Sequence, residues 1–225
     1  MAADVAVPAA LLLLADSRLP AGAHTHSGGL AAAVDTGRVR TIEDLAAFLS
    51  GRLSTAGLVA AAAAARAADI LGSERGGLAV LDAEIDARTP APAAREASRA
   101  QGRGLLRATA RAWPSPVLAL LPDRPHHPVA LGAAAVALGC GPNAAARICA
   151  LMSVTGPASA AVRLLGLDPL SVSTLLARLA PAVDDVADRA VLHAGPGRRL
   201  PAASAPLLDQ LAQAHPRAEV RLFAS

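Results

Sequence analysis

The chain has 225 residues, 53% hydrophobic and only 1% aromatic, with 21 strong bases against 18 acids and a net charge of +3. That length can bury a real core, and one of Ala, Leu and Val permits close helix–helix approach while lacking the aromatics a sheet would want. Near-balanced charge, no basic run of five or six and almost no rings to stack on bases argue against nucleic acid as a partner.

The first stretch with character is Leu11–Val34. An apolar segment, Leu11–Leu14, leads to a second helical run beginning near Leu30. Between them Pro20 removes a backbone donor, and Gly22, Gly28 and Gly29 release backbone angles that other residues avoid. Asp16 and Ser17 open the break with side chains that compete for backbone hydrogen bonds. The expectation is a shaped loop presenting His24, Thr25, His26 and Ser27 between two buried helices, the usual place for contacts to partners.

Thr41-Ile42-Glu43-Asp44 has the form of a capping box, and Ile42, Leu45, Leu49 and Leu53 recur at helical spacing. Gly51 and Gly57 are expected to punctuate the end of that helix. Gly57–Ile70 is Ala-dense and apolar nearly all round, which predicts a central buried helix. A turn at 72–77 follows, then a helix carrying Leu78, Leu81 and Ile85. Two prolines in Thr89-Pro90-Ala91-Pro92 stop it.

From Pro92 to Trp113, Arg95, Arg99, Arg103, Arg107 and Arg111 recur at four-residue intervals, a slowly winding ridge on one helix. Like charges at that spacing cost about 0.2–0.5 kcal/mol per pair, so the ridge wants anions. Glu96 is the only acid inside the helix. Asp184, Asp185 and Asp188, or a partner's acidic surface, are the candidates. Gly102 and Gly104 weaken the helix and are explained by close approach of another helix over Leu105–Leu106.

Pro114 to Pro128 reads as a connector with a short apolar insert, Val117–Leu121, and His126-His127 as a surface turn enclosed by Pro125 and Pro128. Val129–Leu138 is another Ala-rich buried helix. Asn143–Val154 and Ala158–Leu165 follow, either apart or as one helix interrupted near Gly156-Pro157. Asp168-Pro169 supplies an N-cap and a proline at the first helical position. Leu170–His193 is then kinked at Pro181, with Leu175, Leu176, Leu179, Val183 and Val186 facing inward. Ser204–Ala214 forms a last short helix and 216–225 a tail. The whole reads as an all-α, single-domain bundle of about eight to ten helices.

Two cysteines, Cys140 and Cys149, make no disulfide framework in a chain this size, and both read as small buried hydrophobes. The N-terminus lacks a basic region and carries Asp4, and no run of roughly 18–20 uninterrupted apolar residues occurs, so a cytoplasmic protein without a membrane span is expected. His24-x-His26 invites nickel or zinc, but two ligands do not complete a site. Ser27 lacks a nucleophile elbow, and without Lys no phosphate loop of the usual form exists. The residues support no enzyme, no metal site and no cofactor. Ending in Leu222-Phe223, where one of only two phenylalanines lies, the tail is expected to dock.

The segment LADSRLPAGAHTHSGGL resembles the N-terminal signature of the urease accessory family UreF, usually LxDSxLPxGxFxHSxGLE. REASRAQGRGLLR (Arg95–Arg107), HHPVALGAAAVALG (His126–Gly139) and RLFAS (Arg221–Ser225) agree with that family in order. His24 replaces its usual aromatic residue, Ala31 its usual Glu, and no Tyr follows His215. The resemblance implies a non-catalytic helical scaffold. Its relatives dimerise, bind UreD (also called UreH), recruit the nickel-carrying GTPase UreG and act on apo-urease. By the same resemblance, contact surfaces fall at Gly22, His24, His26 and Ser27, at Arg95, Arg99, Arg103 and Arg107, and at Arg221, Leu222 and Phe223. A helical nucleic-acid-associated regulator and a His-based metal-binding protein are the competing readings.

Overall fold

A computed structural model describes residues 8–16, 19, 26–73 and 76–214 of the chain. Among these, every regular element is helical: α1 (Ala9–Ala15), α2 (Leu30–Asp35), α3 (Ile42–Arg52), α4 (Leu58–Gly72), α5 (Leu78–Arg88), α6 (Pro92–Ala112), α7 (His127–Ala137), α8 (Pro142–Leu165), α9 (Pro169–Val191) and α10 (Pro206–Ala214). A short 3-10 turn, Pro116–Leu120, lies in the proline-rich connector.

The hub is α4, on which α7, α8 and α9 all pack. Ala61–Ala65, Ala67 and Ala68 are buried to 1% exposure or less. Alanine is what allows this, because a bare methyl lets neighbouring backbones come close. At Gly132 on α7 even a methyl is too much: a Cβ there would lie 2.5 Å from the carbonyl oxygen of Ala64 and 2.7 Å from the Ala67 Cβ. Helices α1 and α2 lie on α8, α6 lies on α7, and α10 rests on α6 and α2. The buried side chains form one contiguous cluster.

Local signals appear where the sequence puts them. Thr41 caps α3 by accepting from the Asp44 N–H while Asp44 accepts from the Thr41 N–H. Asp168 caps α9 through the N–H groups of Leu170 and Ser171, with Pro169 opening the helix. The buried side of α9 carries Leu179, Val183 and Val186, as foreseen, and adds Val172.

Two expectations about helix ends are overturned. The chain does not break at Gly51–Gly57; a π-turn, Leu53–Gly57, joins α3 directly to α4. Gly57 serves packing here, since a Cβ would sit 2.9 Å from Ser153 Oγ of α8. Likewise α8 runs through Gly156-Pro157 without interruption, with Pro157 buried inside it. Tertiary packing outweighs the single backbone bond that proline removes.

The stretches Ile42–Gly72 and Pro142–Leu165 are long and apolar enough to cross a membrane by length and composition. In this fold they are core helices, and their apolar faces are spent on each other and on α7 and α9.

Candidate partner-binding surface

The Arg ridge on α6 divides into two halves with different fates. Arg99 forms a two-pronged ion pair with Asp82 of α5, with contacts of 2.7 and 3.2 Å, and reaches Asp86 at 3.0 Å and the Arg124 carbonyl at 3.1 Å. The Asp82 hydrogen bond holds this guanidinium above its ordinary pKa, against the opposing effect of burial. Arg95 donates to the carbonyls of Thr89 and Pro90 and lies 3.8 Å from Asp86. The anions that the ridge needs thus come from α5, not from the α9 acids. Asp184 and Asp188 pair instead with Arg147 of α8, and Asp185 with Arg189. The reason is geometric: α5 and α6 are joined by a short proline turn, which sets Asp82 and Asp86 beside Arg95 and Arg99.

The outer half differs. Arg103, Arg107 and Arg111 are exposed, and among the described residues none forms an ion pair. At 1.5 Å per residue the three heads occupy a row about 12 Å long. No carboxylate among the described residues neutralises them.

Asp86 also binds His126, the residue expected in a surface turn. His126 is fully buried, 3.0 Å from Asp86 through Nε2 and 3.0 Å from Ser98 Oγ through Nδ1. Pro125 and Pro128 enclose it because they frame the start of α7, where Pro128 needs no N–H partner. Burial pushes the His126 imidazole down from its usual pKa despite Asp86. Asp86 in turn sits below the carboxylate norm: burial would raise it, but the His126 bond and the Arg99 charge prevail. The ligand atoms of Asp82, Asp86 and His126 lie within 4.8 Å of one another, a spacing that a metal ion could bridge. The cation that does so is Arg99, which takes both carboxylates while Asp86 and Ser98 take both imidazole nitrogens.

Gly102 explains how this network closes. A Cβ at that position would lie 2.0 Å from the Pro125 carbonyl oxygen and under 3 Å from backbone atoms of His126 and His127. What crosses α6 here is the start of α7 at Gly102, upstream of the Leu105–Leu106 position expected from the sequence.

Of the opening loop, Gly22 and His24 lie outside the described residues, as do Arg221, Leu222 and Phe223 of the tail. Ser27 is fully buried, and its hydroxyl accepts from the Ala31 N–H at 3.1 Å, closing the start of α2. His26 is partly buried. It lies near enough to His127 for its charge to reinforce the effect of burial, which pushes His127 down to about 4. The structure therefore brings His26 toward the α6–α7 junction but leaves Arg103 and Arg107 on their own outer face.

Cys149 is buried, and burial pushes its thiol up to about 12, so it is the inert hydrophobe expected.

The family profile of UreF matches residues 39–180, well over half of the chain. The chain belongs to the UreF family. The urease accessory protein UreF of Mycobacterium sp. (strain JLS) is 49% identical over 217 residues, covering 96% of this chain and 97% of that protein. That of Mycolicibacterium vanbaalenii is 45% identical over 222 residues, covering 96% and 98%. That of Mycobacterium tuberculosis (strain H37Ra) is 46% identical over 219 residues, with the same two coverages. UreF proteins are accessory proteins rather than catalysts, in keeping with an α5–α6–α7 network whose polar groups all serve one another.

Proposed function

We propose that this chain is a scaffold of urease maturation that acts in the cytoplasm. It joins UreD/UreH to the GTPase UreG, as a homodimer within the complex, while nickel passes to apo-urease. The observation that carries the reading is the match to urease accessory proteins along 96% of the chain. The exposed Arg103, Arg107 and Arg111 support a protein partner with an acidic face, since a row of unpaired guanidinium groups is stabilised by carboxylates at matching spacing. Arg95 and Arg99 shape that helix from behind through α5. The loop around Gly22–Ser27 and the tail Arg221–Phe223 are the further contact surfaces in this proposal.

The test is co-expression with UreD and UreG, purification through a single tag, and assay of nickel in urease from cells with and without this chain. The three proteins should travel together, and urease should lose nickel without this one. If none co-purifies, or urease loads fully in a deletion strain, the reading is wrong. Arg103→Glu with Arg107→Glu should weaken the complex at least tenfold, about 1.4 kcal/mol, and the loss should shrink as salt is raised.

A further inference from the structure

The last residue of α3, Arg52, has no acidic partner among the described residues. Its Nε donates to the Ser153 carbonyl at 3.0 Å and its Nη1 to the Gly28 carbonyl at 2.8 Å. Both partners are neutral. Among the described residues no carboxylate pairs with it, and two of the five donors of a guanidinium are used. Burial without a counter-ion depresses its pKa to about 10.

Arg52 also lines a half-open cavity of about 240 Å³ bordered by the π-turn and α4, by α5 and α6, by the start of α7 and by α10. Much of the wall is apolar, including Val59, Ile85 and Leu208. The other ionisable groups on it do not answer Arg52. Arg88 is held by Glu84 at 3.2 Å and by the carbonyls of Leu200 and Pro201. His127, at about 4, is uncharged near neutrality. Burial raises the Asp209 carboxyl above its usual value, and Arg52 is not its partner. Among the described residues Arg52 has no ion-pair partner, so the wall presents a guanidinium with donors to spare in largely apolar surroundings. An ion of that kind is stabilised by a charge-assisted bond to an anion, and the two-pronged geometry of guanidinium suits a carboxylate. As to size, an apolar cavity of about 150 Å³ accepts benzene. A volume of 240 Å³ has room for a ring of that size together with a carboxyl group.

We propose that this cavity is a binding site for a small organic monocarboxylate, with its carboxylate on Arg52 and its apolar body between α4 and α10. The site is independent of the scaffold reading and needs no partner protein.

The test is titration of the full chain with benzoate and with its neutral counterpart benzamide, followed by calorimetry and by ligand-detected NMR. Benzoate should bind at least tenfold more tightly than benzamide. Leu208→Trp, which narrows the cavity from the α10 side, should abolish benzoate binding. Arg52→Met should lose the preference for benzoate and Arg52→Lys should keep part of it, with circular dichroism checking that each folds. If the Arg52 variants do not fold, the benzoate–benzamide pair and Leu208→Trp decide. Equal binding of the two ligands, benzoate binding undiminished in Leu208→Trp, or no benzoate binding at about 10 mM, a free energy weaker than about 3 kcal/mol, overturns the proposal.

Discussion

Replacing Gly102 by Ala separates two opposing effects by sign. In an exposed helix interior the change stabilises by about 0.5–1 kcal/mol, because glycine loses more backbone entropy on folding. In this structure the new methyl would meet the Pro125 carbonyl oxygen at 2.0 Å, with backbone atoms of His126 and His127 at 2.8 and 2.9 Å. An ordinary carbon–oxygen contact is roughly 3.3 Å or more, so the start of α7 must move by about 1 Å. None of the obstructing atoms is the end of a flexible side chain. Forced overpacking costs about 1–3 kcal/mol, and a clash with backbone falls at the upper end. Setting about 3 kcal/mol against a gain of about 1 leaves a net loss of about 2 kcal/mol, or about 4–8 °C in Tm for a chain of this size. Gly51 is the control, since it lies inside α3 and a Cβ there meets nothing within 4 Å. Gly51→Ala should raise Tm by about 1–3 °C. Differential scanning calorimetry of the two variants beside the parent measures both. A Gly102→Ala protein that melts at or above the parent would mean that the chain does not cross α6 at that point, and the His126 network would fall with it.

Three further outcomes follow from the same structure. His127 has a folded-state pKa of about 4 against 6.5 when free, so the unfolded chain binds more protons between those values. The stability involved is whole above pH 6.5 and is lost as pH falls toward 4, by about 1–2 kcal/mol after allowance for partial exposure. His126, also depressed by burial, acts in the same direction. Melting followed from pH 7 to pH 4 should show the slope, and His127→Gln should flatten it; an unchanged slope would place the titration elsewhere. Native protein should react with a thiol reagent at Cys140 and not at Cys149, which is 3% exposed with its thiol pushed up to about 12; rapid reaction of both in the folded state would contradict that burial. Thr109 is fully buried and its hydroxyl has no partner among the described residues, so the isosteric Thr109→Val should raise stability by about 1 kcal/mol, read as a higher denaturation midpoint at unchanged slope.

What could be read from the chain, and what could not, divides by the range of the interaction. The caps at Thr41 and Asp168 depend on residues three positions apart, and both are visible as strings. The central place of α4 was legible because a helix apolar on every side has nowhere else to go. By contrast, Gly57 at the end of the π-turn faces Ser153, about a hundred residues away, and Pro157 is buried within an unbroken α8. No local rule carries such information. The prolines around His126-His127 mark a turn and equally a helix start, so the pattern does not separate a surface histidine from the buried one found. Arg52 carries no local signal, since its environment is assembled from the turn before α2, from α3 and from α8.

The Arg ridge is the instructive middle case. Its period is plain in the sequence, which points to the α9 acids or to a partner's acidic surface for counter-ions, whereas Arg99 finds them on α5. The spacing carries a clue: Asp82 and Asp86 are four residues apart, and so are Arg95 and Arg99, on either side of a short proline turn. Arg99 takes both carboxylates, and Arg95 lies 3.8 Å from Asp86. The pairing ends where α5 ends. Beyond it Arg103, Arg107 and Arg111 continue the same row with the same pitch and no facing acids among the described residues. The contacts of Arg99 therefore show within one chain the kind of surface that suits the open half of the ridge: a helix bearing carboxylates four residues apart.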